Sequence, residues 1–194
     1  MLVRDVMTTP AVTVTADTPL KQVARLLDER SVTSLPVVDG HGHIVGVISE
    51  ADVIMVAVPH DARAHETPRS LTREPTFTRT SQVMSRHPVT VSSWADLAEA
   101  TDLMTSTSVK SLPVVDDGVL VGVVSRRDVI RTLARSDDRI EAELDDLLDG
   151  LDYGWLLEVV DGVVIADGPD DERERAIVRA LASTVPGVVA VQFR

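Results

Sequence analysis

Gly46-Val47-Ile48-Ser49-Glu50-Ala51-Asp52-Val53-Ile54 returns later in the chain as Gly122-Val123-Val124-Ser125-Arg126-Arg127-Asp128-Val129-Ile130, and this recurrence decides how everything else is read. Two more blocks travel with it. VMTTPAVTV at Val6–Val14 matches VMSRHPVTV at Val83–Val91, and SVTSLPVVDG at Ser31–Gly40 matches SVKSLPVVDD at Ser108–Asp117. The offset is 77 residues for Met7/Met84, Leu35/Leu112 and Asp39/Asp116, and 76 for Gly46/Gly122 and Asp52/Asp128. The dropped residue falls in the turn after Pro-Val-Val-Asp, where a deletion leaves the flanking strands able to pair. A period of this kind marks two copies of one structural unit.

Each copy reads as β-α-β-β-α. Brief strands at Val12–Val14 and Val89–Val91 lead into helices. Thr18 caps the first helix with Pro19 at its first position, and Leu20, Val23, Ala24 and Leu27 form its apolar stripe. In the second copy Ser93 and Asp96 have the spacing of a capping box, ahead of Leu97, Ala100 and Met104. The Leu-Pro-Val-Val strands follow, then Ile44–Ile48 or Leu120–Val124, and a second helix begins near Ser49 or Ser125. The expected boundaries are 1–58 for the first copy, 59–79 for a Pro-, Thr-, Arg- and His-containing linker, 80–136 for the second copy and 137–194 for a third unit.

Composition limits the function. Of the 194 residues 44% are hydrophobic but only 3% aromatic, so the core is aliphatic, which suits layered α/β packing. There is no cysteine, hence no disulfide or thiolate metal site. The first residues, MLVRDVMTTP, lack the apolar core of a signal peptide, and no apolar run is long enough to span a bilayer. The expectation is a cytoplasmic protein. The net charge of −12 is concentrated at one end: residues 137–194 hold 15 acids and 5 bases, residues 1–136 hold 16 and 14. So acidic a segment repels nucleic-acid phosphate and anionic lipid, which argues against nucleic-acid and membrane partners.

The two copies resemble CBS domains, and the tandem resembles a Bateman module. The resemblance covers about residues 1–135. It implies two β-α-β-β-α units packed with pseudo-twofold symmetry, an α+β fold, and clefts between them that take adenosine-containing ligands such as AMP, ADP, ATP, S-adenosylmethionine or cyclic dinucleotides. The family motif Gly-h-h-Ser/Thr-x-x-Asp stands here as Gly46 to Asp52 and Gly122 to Asp128. A carboxylate can accept from both ribose hydroxyls, and a Ser at a helix N-terminus sits where phosphate is favoured. Ser-x-x-Asp is equally a capping box, and the two readings stand side by side. By family analogy Ser125 and Asp128 face Met7, Ala11, Val12, Val32 and Thr33. Ser49 and Asp52 face Met84, Pro88, Val89, Val109 and Lys110. Lys110, placed before the second Leu-Pro-Val-Val where family members often carry a base for phosphate, either makes the Asp52 cleft the tighter one or is a solvated surface residue, the two readings weighing equally; the first copy has Thr33 there. Arg126 and Arg127 either reach phosphate or face solvent. The family also implies a homodimer.

The third unit reads as α-β-β-α-β. Ile140, Leu144, Leu147, Leu148 and Leu151 share a helical face, Trp155–Val160 and Val163–Ala166 flank the hairpin signal Asp161-Gly162, Asp170–Thr184 forms a second helix and Val188–Phe193 a last strand. With Asp-Gly-Val-Val-Ile-x-x-Gly at 161–168, Glu-Arg near 172–175 and Val-Pro-Gly-Val at 185–188, it resembles a BON domain, as in bacterial CBS–BON fusions. Lipid binding, often described for BON domains, is not carried over to so acidic a copy. No catalytic constellation is present: His41 and His43 lie in a hairpin tip, and His60 and His65 in the linker lack a carboxylate set. The chain reads as a non-enzymatic sensor of AMP, ADP or ATP without cofactor or metal, with an unknown protein partner. The alternative is a structural dimerisation module with empty clefts, contacting its partner through the BON unit.

Overall fold

The computed structural model describes residues 1–57, 78–149 and 153–194. The linker, with His60 and His65, lies outside them apart from Thr78 and Arg79, as does Leu151. The first copy comprises α1 (Leu20–Glu29), β1 (Ser34–Val38), β2 (Ile44–Ser49) and α2 (Glu50–Ala57). The second comprises α3 (Leu97–Ser106), β3 (Ser111–Asp116), β4 (Val119–Ser125) and α4 (Arg126–Leu133). Each hairpin is antiparallel in the same register, Ser34 opposite Ser49 and Ser111 opposite Ser125, with one irregularity after Val37 and after Val114. The missing residue is absorbed in the turn, where Asp117 and Gly118 both take positive φ and leave the ladders unchanged.

The strands expected at Val12–Val14 and Val89–Val91 shrink to single parallel bridges, Val14 to Val37 and Val91 to Val114. The expected caps also move. Helix α1 starts after Pro19, while Thr18 Oγ1 accepts from the Thr15 N–H at 3.0 Å. Helix α3 is capped by Asp96, which accepts from the Ala98 N–H at 2.9 Å, and the Ser93 N–H donates to Asp116 Oδ1 instead. In both cases a turn preceding the helix captures the hydroxyl residue.

The sequence copies are not closed structural units. The N-terminal arm of the first lies on the second: Thr8 and Val123 exchange two backbone hydrogen bonds, the Val3 N–H donates to Ala95 O, and the Arg4 guanidinium sits 3.6 Å over the Trp94 ring. Val3, fully buried, belongs to the core of the second copy with Val91, Leu97, Ala100, Met104, Leu112, Val114 and Val124. Reciprocally, Ser85 pairs with Val47, the Thr80 N–H donates to Thr18 O, and Val83 and Met84 pack on the first-copy core of Val14, Leu20, Val23, Leu27, Leu35, Val37, Ile48 and Val53. This exchange explains the motif glycines. A Cβ at Gly46 would meet Ser85 O at 2.7 Å, and one at Gly122 would meet Met7 Sδ at 2.8 Å. Equivalent residues touch at the pseudo-twofold axis, where Ser34 Oγ and Ser111 Oγ are 2.7 Å apart.

Residues 137–194 give the expected order: α5 (Asp137–Leu148), β5 (Leu156–Val160), β6 (Val163–Asp167), α6 (Glu172–Ala182) and β7 (Ala190–Phe193). The sheet order is β5-β6-β7, with β6 and β7 parallel across the α6 connection. Asp161 and Gly162 have φ of 50° and 74°, as a two-residue hairpin of this hand requires. Their N–H groups donate to the Asp137 carboxylate at 2.8 and 2.9 Å. Arg135, at the end of the second copy, donates to Pro186 O at 2.9 Å and pairs with Glu143, tying this unit to the CBS-like part.

Candidate functional site in the clefts between the copies

At the start of α2, one oxygen of Asp52, Oδ2, accepts from the Ser49 N–H at 2.8 Å and from Ser49 Oγ at 2.6 Å, and the Asp52 N–H is 3.4 Å from Ser49 Oγ. Asp128 repeats the first two bonds with Ser125 at 2.8 and 2.6 Å. The capping geometry is therefore present in both copies. It also presets each carboxylate: Oδ2 is anchored beside the helix end and Oδ1 is left out of the cap.

What meets Oδ1 differs. In the second copy Arg131 Nη1 donates to Asp128 Oδ1 at 3.0 Å, one helical turn on, and the Asp128 side chain is only 6% exposed. The equivalent of Arg131 in the first copy is Met55, which has no donor, and Asp52 is half-buried.

The structure brings Lys110 to the Asp52 motif, but its ammonium pairs with Glu50, the residue after Ser49. The basic residue expected at this cleft is therefore present at the motif, with part of its charge already taken by a carboxylate of the opposite copy. Arg126, the equivalent of Glu50, turns away and donates to Met104 O at the end of α3 at 2.9 Å. Of the expected wall residues, Met84 lies over Gly46 and Met7 over Gly122. Val12 and Val32 pack with the first-copy core and Val109 with the second. Thr33 O accepts from the Glu50 N–H and Lys110 O from the Arg126 N–H, at 2.9 and 3.0 Å, so both residues sit at the rim of their own copy's motif. Ala11 and Pro88 are half-buried and Val89 exposed, between the exchanged arms and the bridges at Val14 and Val91. Glu50 and Arg131 are the residues that reading the sequence missed as participants. The three-residue spacing of Asp128 and Arg131 on one helix was the available signal.

A recess of about 410 Å³ beside the Glu50 rim is lined by Leu27, Val32, Thr33, Glu50, Val53 and Ile54. Another of about 370 Å³ lies away from both motifs, where the start of α3 faces α6 and β7. Asp39, in the hairpin tip, accepts from the N–H groups of His41 and His43, and these bonds, His41's foremost, hold its carboxyl below the ordinary range. No group of three or more potential metal ligands occurs among the described residues, and no described helix is long and apolar enough to cross a membrane.

Comparison with known proteins agrees with this architecture. The CBS domain family matches residues 3–58 and 81–135. A protein of Methanocaldococcus jannaschii, MJ1426, itself uncharacterised, is 31% identical over 154 residues, spanning 69% of this chain and 91% of its own. The crystal structure of CBSX2 from Arabidopsis thaliana in complex with AMP superposes with a TM-score of 0.56 at 30% identity, covering 67% of this chain and 93% of that one. The CBS domain pair of protein MJ0100, in complex with 5′-methylthioadenosine and S-adenosyl-L-methionine, superposes with a TM-score of 0.54 at 25% identity, over 68% and 94% of the two chains. The fold and the paired motifs define a tandem CBS pair of mixed α and β structure, and this chain belongs to the CBS domain family.

Proposed function

We propose that the chain is a non-enzymatic regulatory sensor that takes adenine nucleotides of the AMP, ADP or ATP class in the clefts between its CBS copies. The observation that carries this reading is the Asp52 carboxylate: Ser49 anchors one oxygen, no donor stands at Met55, and Lys110 of the other copy lies at the same rim. A ribose diol is the natural donor pair for such an acceptor. The AMP and methylthioadenosine complexes of the structural neighbours support an adenosine ligand here. On this reading Ser49, Asp52 and Lys110 with Met84, Pro88, Val89 and Val109 form one site. Ser125 and Asp128 with Met7, Ala11, Val12, Val32 and Thr33 form the other. Residues 137–194, as a BON domain, transmit the bound state to a protein partner. Thermal unfolding with AMP, ADP, ATP and S-adenosylmethionine tests the proposal: a native-state ligand at a hundredfold excess over Kd stabilises by about 2.7 kcal/mol. A rise in Tm with one of them, lost in Asp52→Asn/Asp128→Asn, supports the sensor; no rise with any sinks it.

A second reading has its own support. Ile54 and Met55 on α2 and Ile130 and Leu133 on α4 are 56–81% exposed, an apolar surface suited to a homodimer through the CBS copies. A dimer by light scattering with no response to any nucleotide would favour a structural dimerisation module.

A further inference from the structure

The two clefts carry the same motif, yet among the described residues only the second holds a cation on its acidic residue. We infer that Arg131 closes the second cleft by occupying Asp128, so that the chain takes one adenosine ligand with high affinity, at Asp52, and Arg131 is the residue that decides this. The inference rests on the reading of the clefts as adenosine sites.

The chemistry follows from counting acceptors. Asp128 Oδ2 already receives the N–H and Oγ–H of Ser125, and Oδ1 receives Arg131 Nη1 at 3.0 Å. A vicinal diol donates two O–H groups and needs the oxygen that the guanidinium holds. An N–H bond from guanidinium to carboxylate is charge-assisted and stronger than a bond from a neutral hydroxyl. The carboxylate is 6% exposed while Arg131 is 67% exposed, so the arginine covers a buried acceptor from the solvent side, where a ligand arrives. In the first copy Met55 stands in this place and supplies no donor. The pair is also an i,i+3 helix contact of modest strength, so ligand can displace it, at reduced affinity.

Titration of the full-length protein with AMP, by calorimetry, counts the sites. Wild type is expected to take one AMP per chain with a second at least tenfold weaker, and Arg131→Met to take two within about threefold of each other. Met55→Arg, which puts the same cation near Asp52, is expected to weaken the first site at least tenfold. Both positions are exposed, and Tm within a few degrees of wild type verifies folding. Two equal sites in wild type, or one tight and one unchanged weak site in Arg131→Met, overturn the inference while leaving the clefts as nucleotide sites. Absence of binding of AMP, ADP, ATP and S-adenosylmethionine alike in wild type and both variants overturns both.

Discussion

In the first copy Asp52 is held by Ser49 and has Met55 three residues on, while Glu50 reaches across to Lys110; in the second, Asp128 is held by Ser125 and Arg131, while Arg126 folds back onto the end of α3. The backbones of the two regions are near copies. The hairpin registers coincide, both motif glycines lie under an exchanged arm, and both serines anchor their carboxylate at 2.6 Å. Symmetry is enforced where a change would cost packing, and it lapses at exposed positions, where charge can be exchanged freely. A pseudo-twofold fold therefore gives the two motifs one shape and two chemistries.

The comparison can be broken most forcefully at the carboxylates. Asp52→Ala is expected to weaken AMP binding by about 100-fold, since it removes hydrogen bonds to a charged acceptor of roughly 1.5–3 kcal/mol each. Asp128→Ala is expected to change the tight site less than threefold. Calorimetry on both variants checks this, and equal losses would end the asymmetry. Next come the glycines, where the copies should behave alike. Gly46→Ala and Gly122→Ala drive a methyl into Ser85 O or Met7 Sδ, and each is expected to lose about 1–3 kcal/mol by overpacking, measurable by denaturant unfolding. Glu50→Gln releases Lys110 and is expected to tighten ATP about fivefold with little effect on methylthioadenosine, which carries no phosphate. A uniform change for both ligands would show that Lys110 does not meet phosphate.

The smallest effect separates the two turn aspartates. Asp116 is held below the ordinary carboxylate range by Ser93, through side chain and N–H, and by the Ser92 hydroxyl, whereas Asp39 is lowered by its own turn. A depressed carboxylate contributes stability above its unfolded pKa of about 3.9 and loses it as pH falls through the lower folded value. Asp116→Asn is therefore expected to be slightly less stable than wild type at pH 7 and to converge with it below about pH 4, in parallel Tm measurements. A constant difference across that window would assign the effect to packing.

Much of this was legible in the chain. The repeat offset, the turn that absorbs the missing residue, the Asp161-Gly162 hairpin and the Ser-x-x-Asp motifs are local patterns, and each falls where its residues direct. What escaped depends on partners far along the chain. Thr18 and Ser93 are sound caps by spacing, but Thr15 and Asp116 compete for them, and Pro19 and Asp96 take the N-cap positions of helices that begin at Leu20 and Leu97. The Lys110–Glu50 pair joins residues 60 apart and cannot be seen in either copy alone. The exchange of arms was hidden for the same reason: Val3 and Val83 look like members of their own repeats, yet Val3 is buried in the other and Val83 is half-buried against the other's core.

That exchange bears on how the molecule comes into being. The first arm must wait for Ala95 and Val123 to be synthesised before it has anything to bond, so the last contacts of the first copy close over a separation of more than a hundred residues, a topology that slows folding. Neither repeat is then an independent folding unit. Expressed by itself, each would present the edge of β2 or β4 uncovered, and the ready way to cover it is to borrow an arm from another molecule. The two halves of the sequence can be read separately, yet in the folded chain each is completed by the arm of the other.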